Sequence, residues 1–324
     1  MFKINTDDRI DRAIKAFIKL TVRDGLFVLF AGTLARFFYR WRPEHNPLLG
    51  MATSWNEQVF AECLEPIGVR CTIETDLEMN DFSGLTVVLC NHPHTLESTI
   101  PPLITLRKIS SRIIMVIKSS QVFQPIGMAL WMLDAAVIVN RLYMMWPFRL
   151  WPALALLMKH YSMIWYRRQL QHVHAEAVRR NEPIALLMFL NRRWTQERYE
   201  KELAKFTDSV PGSDTWLQYG LIAKSGGLYE VLQATGHIGI RVVSLTMAST
   251  ARHDRKSTSF KAMGGVKQLV KIEDVTIQLH TMADGTDLRQ ITEPQLRTWL
   301  NLTLWPHMMV DIIRPWCNKH TETE

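Results

Sequence analysis

Leu-Thr-Val-Val-Leu-Cys-Asn-His-Pro-His-Thr-Leu-Glu-Ser-Thr-Ile-Pro, residues 85–101, is an apolar run that stops abruptly at a polar cluster. The run Leu85–Cys90 is short, rich in β-branched residues and almost uninterrupted, which predicts a strand buried on both faces of a sheet. Pro93 favours an extended backbone at His92, so a helix can begin only after it. The pattern therefore predicts a strand, a tight loop and a helix, with polar groups where the strand ends.

This segment supplies two candidate catalytic residues, His92 on the loop and Glu97 in the first turn of the helix. Residues five apart on one helix point in different directions, but a break between strand and helix can bring the imidazole and the carboxylate together. A carboxylate near a helix N-terminus stays ionised, and it can orient the ring and stabilise its protonated form. The same residues also fit ordinary turn and cap positions, and His94 competes for the role of base because it too lies close to Glu97.

The composition is that of a globular protein with an anionic partner. Of 324 residues, 47% are hydrophobic and 21% are charged, and the formal net charge is +7. One main domain with appended helices is the natural expectation at this length. Eleven Trp and sixteen Met favour a membrane surface as the partner, since interfacial aromatic residues have one apolar and one polar end. No nucleic-acid-binding motif is present in the sequence, and nothing in it indicates an oligomeric state.

The four cysteines form no Cys-x-x-Cys pair, so the sequence predicts neither a metal site nor a disulfide framework, and a reducing compartment fits best. The N-terminus carries Asp7, Asp8 and Asp11 and has no early apolar core, which argues against a secretory signal peptide. We expect a membrane-associated protein at the cytoplasmic face, with no metal and no cofactor.

Residues 1–55 are predicted to form amphipathic, interfacial helices and a linker. Within residues 9–23, one helical face is apolar and another is basic: Ile10, Ala13, Ile14, Phe17 and Ile18 against Arg12, Lys15, Lys19 and Arg23. The apolar stretch 26–39, followed by further arginines, suggests a hairpin that dips into one leaflet, and residues 43–55 are typical of a linker. The alternative is a surface helix packed on the catalytic domain. Neither 25–38 nor 142–158 is a convincing membrane span, because Arg36 and Arg149 interrupt them.

The rest of the chain alternates between strand and helix patterns. Strands are predicted at 112–117, 135–139, 184–189, 241–246 and 275–280, in addition to 85–90, which indicates an α/β sheet with sites at the strand C-termini. The aromatic segment 142–168 is either a core helix or a membrane or acyl-chain surface. Thr292 and Gln295 form a capping box for a C-terminal helix that Pro306 should end. The expected organisation is a catalytic domain at 56–290 and a helical segment at 291–324.

Several stretches resemble the 1-acylglycerol-3-phosphate acyltransferase family, the glycerolipid acyltransferases marked by Asn-His, four residues and an acid. Asn91-His92-x4-Glu97 is similar to the catalytic block, although Asp is the commoner acid. The segment 116–127, with Lys118, resembles the approach to the second block, and 136–141 looks like that block, ending at Asn140-Arg141. The segments 224–228 and 240–246 resemble the later Lys/Gly segment and the closing strand. The resemblance implies the family's mixed sheet flanked by helices.

The third block departs from the family pattern. Where the family usually has Phe-Pro-Glu-Gly-Thr-Arg after a strand, this chain has Leu190-Asn-Arg-Arg-Trp-Thr195, without the acid and the glycine. The usual acceptor, lysophosphatidic acid, is therefore in doubt. The resemblance implies the following substrate-binding residues: Asn91, Lys118, Asn140, Arg141, Asn191, Arg192, Arg193, Lys224 and Gly226.

The resemblance also implies a reaction, transfer of a fatty acyl group from an acyl-CoA or acyl-carrier-protein thioester to a hydroxyl of a lysophospholipid-type acceptor. His92 would be the general base, Glu97 would hold its ring, and Arg141 would bind an anionic headgroup. Two alternatives remain open: a specialised, non-phospholipid acceptor, and a non-catalytic membrane-binding protein that kept the fold. Ser225, in an approximate hydrolase elbow, and the pair His172 and His174 are weaker candidates for chemistry.

Overall fold

The computed structural model describes residues 6–32, 34, 51–78, 81–92, 100–122, 130–131, 135–139, 151–191, 195–206, 210, 212–236, 239–250, 265–282 and 290–321. Within these ranges, seven strands form one sheet in the order β1-β7-β6-β2-β5-β3-β4. The strands are Arg70–Thr75 (β1), Leu85–Cys90 (β2), Arg112–Lys118 (β3), Ala136–Val139 (β4), Ile184–Phe189 (β5), Ile240–Ser249 (β6) and Lys267–Asp274 (β7). The predicted α/β class with a mixed sheet flanked by helices is confirmed.

Strands β2 to β6 all run in one direction, and β7 with its parallel neighbour β1 runs in the other. In the described part of the chain, the helices of more than six residues are Thr6–Phe27, Met51–Val59, Pro152–Arg180, Gln196–Phe206, Gly226–Thr235, Thr276–Met282, Glu293–Trp299 and Arg314–Thr321. Short helical segments are Ile100–Thr105, Ser119–Val122 and Ser213–Trp216, and π-helical turns are Val28–Gly32, Phe60–Leu64, Leu300–Leu304 and His307–Ile313.

The predicted central strand is buried along its whole length. Leu85, Val87 and Leu89 face a core that the long helix Pro152–Arg180 and the C-terminal helices share. Val88 and Cys90 face a second core on the other side of the sheet. Because alternate side chains of a strand point to opposite faces, an uninterrupted apolar run needs cover on both sides, and β2 has it.

The prediction of a strand at 275–280 is wrong, because these residues form the helix Thr276–Met282. Asp274 accepts a hydrogen bond from the backbone N–H of Thr276 (2.8 Å), which favours a helix start at this point. The strand lies just before it, as β7, with β1 at the sheet edge. Neither was predicted, since both carry charged or polar residues along much of their length.

The C-terminal helix begins with the predicted capping box. Thr292 donates its backbone N–H to Oε1 of Gln295 (2.9 Å), and Gln295 donates its own to the Thr292 hydroxyl (3.4 Å). The expected end at Pro306 is wrong, since helical structure continues to Thr321. Trp305 bonds back to Leu300, five residues earlier, and this wider π-helical turn accommodates the proline ring.

The apolar face of the N-terminal helix is mostly covered by protein. Ile10, Ala13 and Leu20 are buried against the segment that contains Val59 and Leu64. Ile14 and Phe17 are partly buried there as well, so of the face expected to meet lipid only Ile18 is exposed. That part of the interfacial-helix prediction is corrected, because the segment 51–67 is helical and supplies a protein partner. Its first residues, 51–55, are helix and not the predicted linker. No helix among the described ranges is both long and apolar enough to cross a bilayer.

The helix Pro152–Arg180 connects β4 to β5 and is anchored at two levels of the sheet. Gln169 exchanges hydrogen bonds with the backbone N–H and C=O of Ile138 in β4 (3.1 and 3.0 Å). Near the end of the helix, buried Glu176 binds Arg112 (3.0 Å) and Arg180 (2.7 Å). Glu176 therefore ties the helix to the start of β3, and it is not directed at a metal ion with the nearby histidines.

Candidate active site at the carboxyl edge of the sheet

The strand ends bring several predicted site residues to one edge of the sheet. His92 follows the end of β2, Asn191 follows β5, and Lys118 is the last residue of β3. Lys118 is paired in register with Val139, the residue before Asn140. Because β2, β3, β4 and β5 are parallel, their carboxyl ends share this edge, where ligands bind in open α/β sheets.

Asn91 fastens β2 to its neighbour β6. Its side chain is buried, its Nδ2 donates to the C=O of Met247 (2.8 Å), and its Oδ1 accepts from the N–H of Met247 (2.7 Å). The amide thus extends the pairing of the two strands past the last backbone pair, at the residue that precedes His92. In this structure Asn91 contacts the main chain of β6, which favours a positioning role over the predicted substrate contact.

Asn191 holds the loop on the other side of β2. Its side chain is 6% exposed, and its Oδ1 accepts a hydrogen bond from the backbone N–H of His92 (2.6 Å). The imidazole of His92 lies beside the Phe189 ring, with centroids 4.8 Å apart and planes at 37°. The residues at the end of β5 therefore fix both the backbone and the ring of the candidate base.

Cys90 precedes this loop and is not a nucleophile. It is fully buried, its thiol contacts the C=O of Asn91 (3.2 Å), and burial raises its pKa well above the ordinary value. A thiolate is needed for attack or metal binding, so a neutral buried thiol serves packing.

Lys224 and Gly226 lie on the segment that packs against the end of β5. The backbone N–H of Lys224 donates to the C=O of Leu190 (2.8 Å), and the Lys224 side chain is exposed. Gly226 begins the helix Gly226–Thr235, and a Cβ at this position would have an ordinary contact with Glu293. The close approach is at Gly227, where a Cβ would lie 2.7 Å from Cε of Met188. Gly227 therefore has the tighter structural requirement.

Ser225 is held away from nucleophilic chemistry. It is buried, and its hydroxyl donates to Oε1 of Glu293 (3.2 Å). No histidine lies beside it among the hydrogen-bond partners that the described residues provide. The hydrogen bond instead links the start of the helix Gly226–Thr235 to the C-terminal helix.

The remaining predicted site residues, Glu97, Asn140, Arg141, Arg192 and Arg193, lie outside the described residues, as does His94. Their roles stay predictions. Two residues that sequence reasoning missed are Phe189, beside the His92 ring, and Met247, which pairs with Asn91. Phe189 was visible only as the end of a strand, and no sequence signal connects Met247 with a residue 156 positions earlier.

Comparison with known proteins shows a distant likeness of fold to a solved structure. No protein-family model matches the chain, and no curated protein matches it. The fold is similar to that of the crystal structure of the 1-acyl-sn-glycerophosphate (LPA) acyltransferase PlsC from Thermotoga maritima, with a TM-score of 0.45 and 12% sequence identity. The match covers 94% of this chain and 98% of that chain.

Proposed function

We propose that this protein is an O-acyltransferase that moves a fatty acyl group from an acyl-CoA or acyl-carrier-protein thioester to a hydroxyl of a lysophospholipid-type acceptor. The observation that carries the proposal is the placement of His92. It follows a central, doubly buried strand, and its backbone is bonded to Asn191 at the end of the adjacent parallel strand. It also belongs to the Asn91-His92-x4-Glu97 block, which resembles the catalytic block of glycerolipid acyltransferases.

A thioester is already activated, so the reaction needs a base and no covalent enzyme intermediate. His92 takes the proton of the acceptor hydroxyl as its oxygen attacks the thioester carbonyl. The tetrahedral intermediate then expels the thiolate, which receives the proton from the imidazolium, and the free thiol leaves. Glu97 orients the ring and stabilises its charge in this scheme, and positioned base catalysis contributes about 10²–10⁴-fold.

Basic residues along the carboxyl edge support an anionic acceptor headgroup. Lys118 ends β3, and β5 lies between β3 and β2, so the ends of β2 and β3 are about 10 Å apart. That distance fits an acceptor whose hydroxyl is at His92 while its phosphate meets cations further along the edge. In the proposal, Arg141, Arg192 and Arg193 complete this headgroup site through charge-assisted hydrogen bonds.

A lipid acceptor requires the enzyme to reach a membrane surface, and the end of the N-terminal helix offers a suitable stripe. Ile18, Val22, Leu26 and Phe30 are exposed at a spacing of four residues. A groove of about 460 Å³ beside them is lined in part by Lys15 and Lys19. Apolar side chains flanked by lysines are typical of helices that lie in the interface of anionic membranes, and we propose attachment at the cytoplasmic face.

The test is thioester consumption and product mass spectrometry with a panel of lysolipids, comparing wild type with His92→Ala. We expect the variant to lose about 10²–10⁴-fold in turnover, which is the contribution of a positioned base, while its thermal unfolding stays unchanged. His280→Ala is the matched control, since His280 is exposed on the helix that follows β7, near the opposite edge of the sheet. Near-normal turnover of His92→Ala refutes the assignment.

Three further outcomes decide between the alternatives. Glu97→Gln should lower turnover, and an unchanged rate would reduce Glu97 to a helix cap. Lipid binding by the wild type without release of free thiol supports the non-catalytic reading. Transfer only to an alcohol or amine that lacks a phosphate would support acyl transfer and replace the lysophospholipid acceptor with a specialised one. The altered third block, which begins at Leu190-Asn191, allows such an acceptor.

A further inference from the structure

The first half of the helix Pro152–Arg180 exposes large apolar side chains on one face. Leu154, Leu157, Tyr161 and Trp165 are all exposed and follow each other at three, four and four residues, and exposed Trp151 precedes them. This spacing places side chains on one side of a helix. We call these five residues the aromatic face. The buried face of the same helix begins later, with Ser162, Tyr166, Leu170, Val173 and Ala177.

The aromatic face extends beyond the carboxyl edge of the sheet. The helix is anchored near the amino edge by Glu176 and Arg112, and closer to the carboxyl edge by Gln169 and Ile138. Leu154 lies 15 residues before Gln169, which at 1.5 Å per residue is about 22 Å further along the helix axis. Ile138 is one residue from the end of β4, so most of that length projects past the strand ends. This is the edge that carries His92.

The charge of this region favours an anionic partner. Residues 135–175 include five basic residues, Arg141, Arg149, Lys159, Arg167 and Arg168, and no Asp or Glu. Arg167 is paired with Glu230 on the helix Gly226–Thr235, whereas Arg168, three residues after Trp165 and seven after Tyr161, is exposed on the same side of the helix as the aromatic face. Tyr and Trp on such a face suit the boundary between headgroups and acyl chains.

A bilayer fits this combination better than a second copy of the chain does. In a symmetric dimer built on the aromatic face, each helix would bring its cations to a partner surface that has no carboxylate between residues 135 and 175 to neutralise them. Anionic headgroups neutralise those cations, and the hydrocarbon below accepts the leucine side chains.

We propose that the aromatic face is a second lipid-contacting surface, separate from the stripe on the N-terminal helix, and that it binds bilayers containing anionic phospholipids. It goes beyond the proposed acyl transfer because binding at this face does not require catalysis. Its position above the carboxyl edge turns that edge toward the membrane, so that a lipid acceptor reaches His92 from the bilayer.

Vesicle flotation of the full-length protein tests the proposal, with phosphatidylcholine vesicles that contain or lack phosphatidylglycerol. The triple variant Leu154→Gln, Leu157→Gln, Trp165→Gln should partition into anionic vesicles at least about tenfold more weakly than wild type. Each substitution removes an apolar side chain that the bilayer would bury. The matched control is Leu156→Gln, Ile277→Gln, Leu302→Gln, which changes three exposed apolar residues off the face and should bind like wild type.

A charge variant checks the second element of the surface without touching its apolar residues. Arg168→Gln should weaken binding to anionic vesicles by about fivefold. Binding to neutral vesicles should not change. Thermal unfolding of each variant, expected to match wild type, shows that the fold is intact.

The outcome also separates this surface from the N-terminal stripe and from acyl transfer. Ile18→Gln with Val22→Gln removes part of that stripe, and its loss should multiply with the loss from the aromatic face. Unchanged flotation of the aromatic-face triple variant overturns the proposal whether or not the enzyme is active. So does a shift in sedimentation from dimer to monomer without any change in vesicle binding, which would make the face a contact between copies.

Discussion

At the residue scale, two asparagines hold the candidate base in place. Asn91 bridges to the backbone of Met247, and Asn191 accepts the backbone N–H of His92. Both are buried where parallel strands end. Backbone N–H and C=O groups that have no strand partner beyond this point hydrogen-bond to the side-chain amides instead. The result is a loop whose entry is fixed on both sides, which suits a base that must keep a set distance to its substrate.

The role of Asn191 can be separated from acceptor binding by kinetics. Asn191→Leu, of similar size, leaves the His92 N–H without its acceptor, which costs about 1–3 kcal/mol, and should lower kcat while the KM for the acceptor stays near the wild-type value. Asn191→Asp keeps an oxygen acceptor and should restore most of the turnover. A raised KM with unchanged kcat would instead place Asn191 in the acceptor site.

At the scale of elements, the helix Pro152–Arg180 connects β4 to β5, and its first half extends beyond the sheet. Its second half packs on the sheet through Tyr166, Leu170 and Val173, and Asn181 ends it in a left-handed conformation with φ of 54°. Its first half is exposed, so the contacts near its C-terminal end fix the orientation of the whole helix. Buried Glu176, bonded to Arg112 and Arg180, is the strongest of them.

Removing that carboxylate should destabilise the fold. Glu176→Gln removes the carboxylate that Arg112 and Arg180 both contact at a largely buried site, and we expect a loss of about 3 kcal/mol in the free energy of unfolding. Glu182→Gln is the matched control at the same end of the helix, because Glu182 is exposed, and it should stay within about 0.5 kcal/mol. Urea unfolding measures both. Equal stability of the two variants would show that Glu176 does not anchor the helix.

At the scale of the whole molecule, the C-terminal segment packs in the same core as the sheet, whereas the N-terminal helix packs in a separate cluster with Val59 and Leu64. Trp299, Leu304, Trp305 and Met308 of the C-terminal helices are buried in the core that includes Leu85 of β2.

All four cysteines are free thiols, and burial raises the pKa of Cys63, Cys71 and Cys317 to about 11. For Cys63, the charge of Glu62 adds to this effect.

These thiols predict how stability changes at alkaline pH. In the unfolded chain a cysteine loses its proton near its ordinary pKa of 9.0, whereas in the fold Cys63, Cys71 and Cys317 keep the proton up to about 11. The protonated form is therefore favoured by folding, and its contribution is complete below pH 9 and is lost as the pH rises toward 11.

Chemical denaturation at pH 8, 9, 10 and 11 measures how the free energy of unfolding changes with pH. The wild type should lose more stability over this range than Cys63→Ala with Cys317→Ala does, because the variant lacks two of the titrating groups. Tyr219 contributes to the difference in the same direction, because burial and the charge of Cys317 both raise its pKa and the variant removes the second cause. Parallel curves would mean that these thiols are not protected in the fold.

Local sequence determined the elements whose signals lie within a few residues. The apolar run 85–90 gave β2 with its bounds, since a strand covered on both faces must be apolar throughout. The capping box at Thr292 and Gln295 likewise needs only neighbouring residues. The resemblance of Asn91-His92-x4-Glu97 was also readable, and it singled out the residue that the fold places at the end of the central strand.

Only the tertiary structure decided which surfaces are covered and which partners meet. The apolar face at Ile10 and Ala13 has the pattern of a lipid-facing helix, yet it packs on the segment that contains Val59, because periodicity specifies an apolar face and not what covers it. Asn91 meets Met247, 156 positions away, through strand order that no local pattern encodes. The exposed aromatic face of the helix Pro152–Arg180 depends on tertiary structure in the same way. The helix is longer than the strands it packs on, and only the packing shows which of its turns stay uncovered.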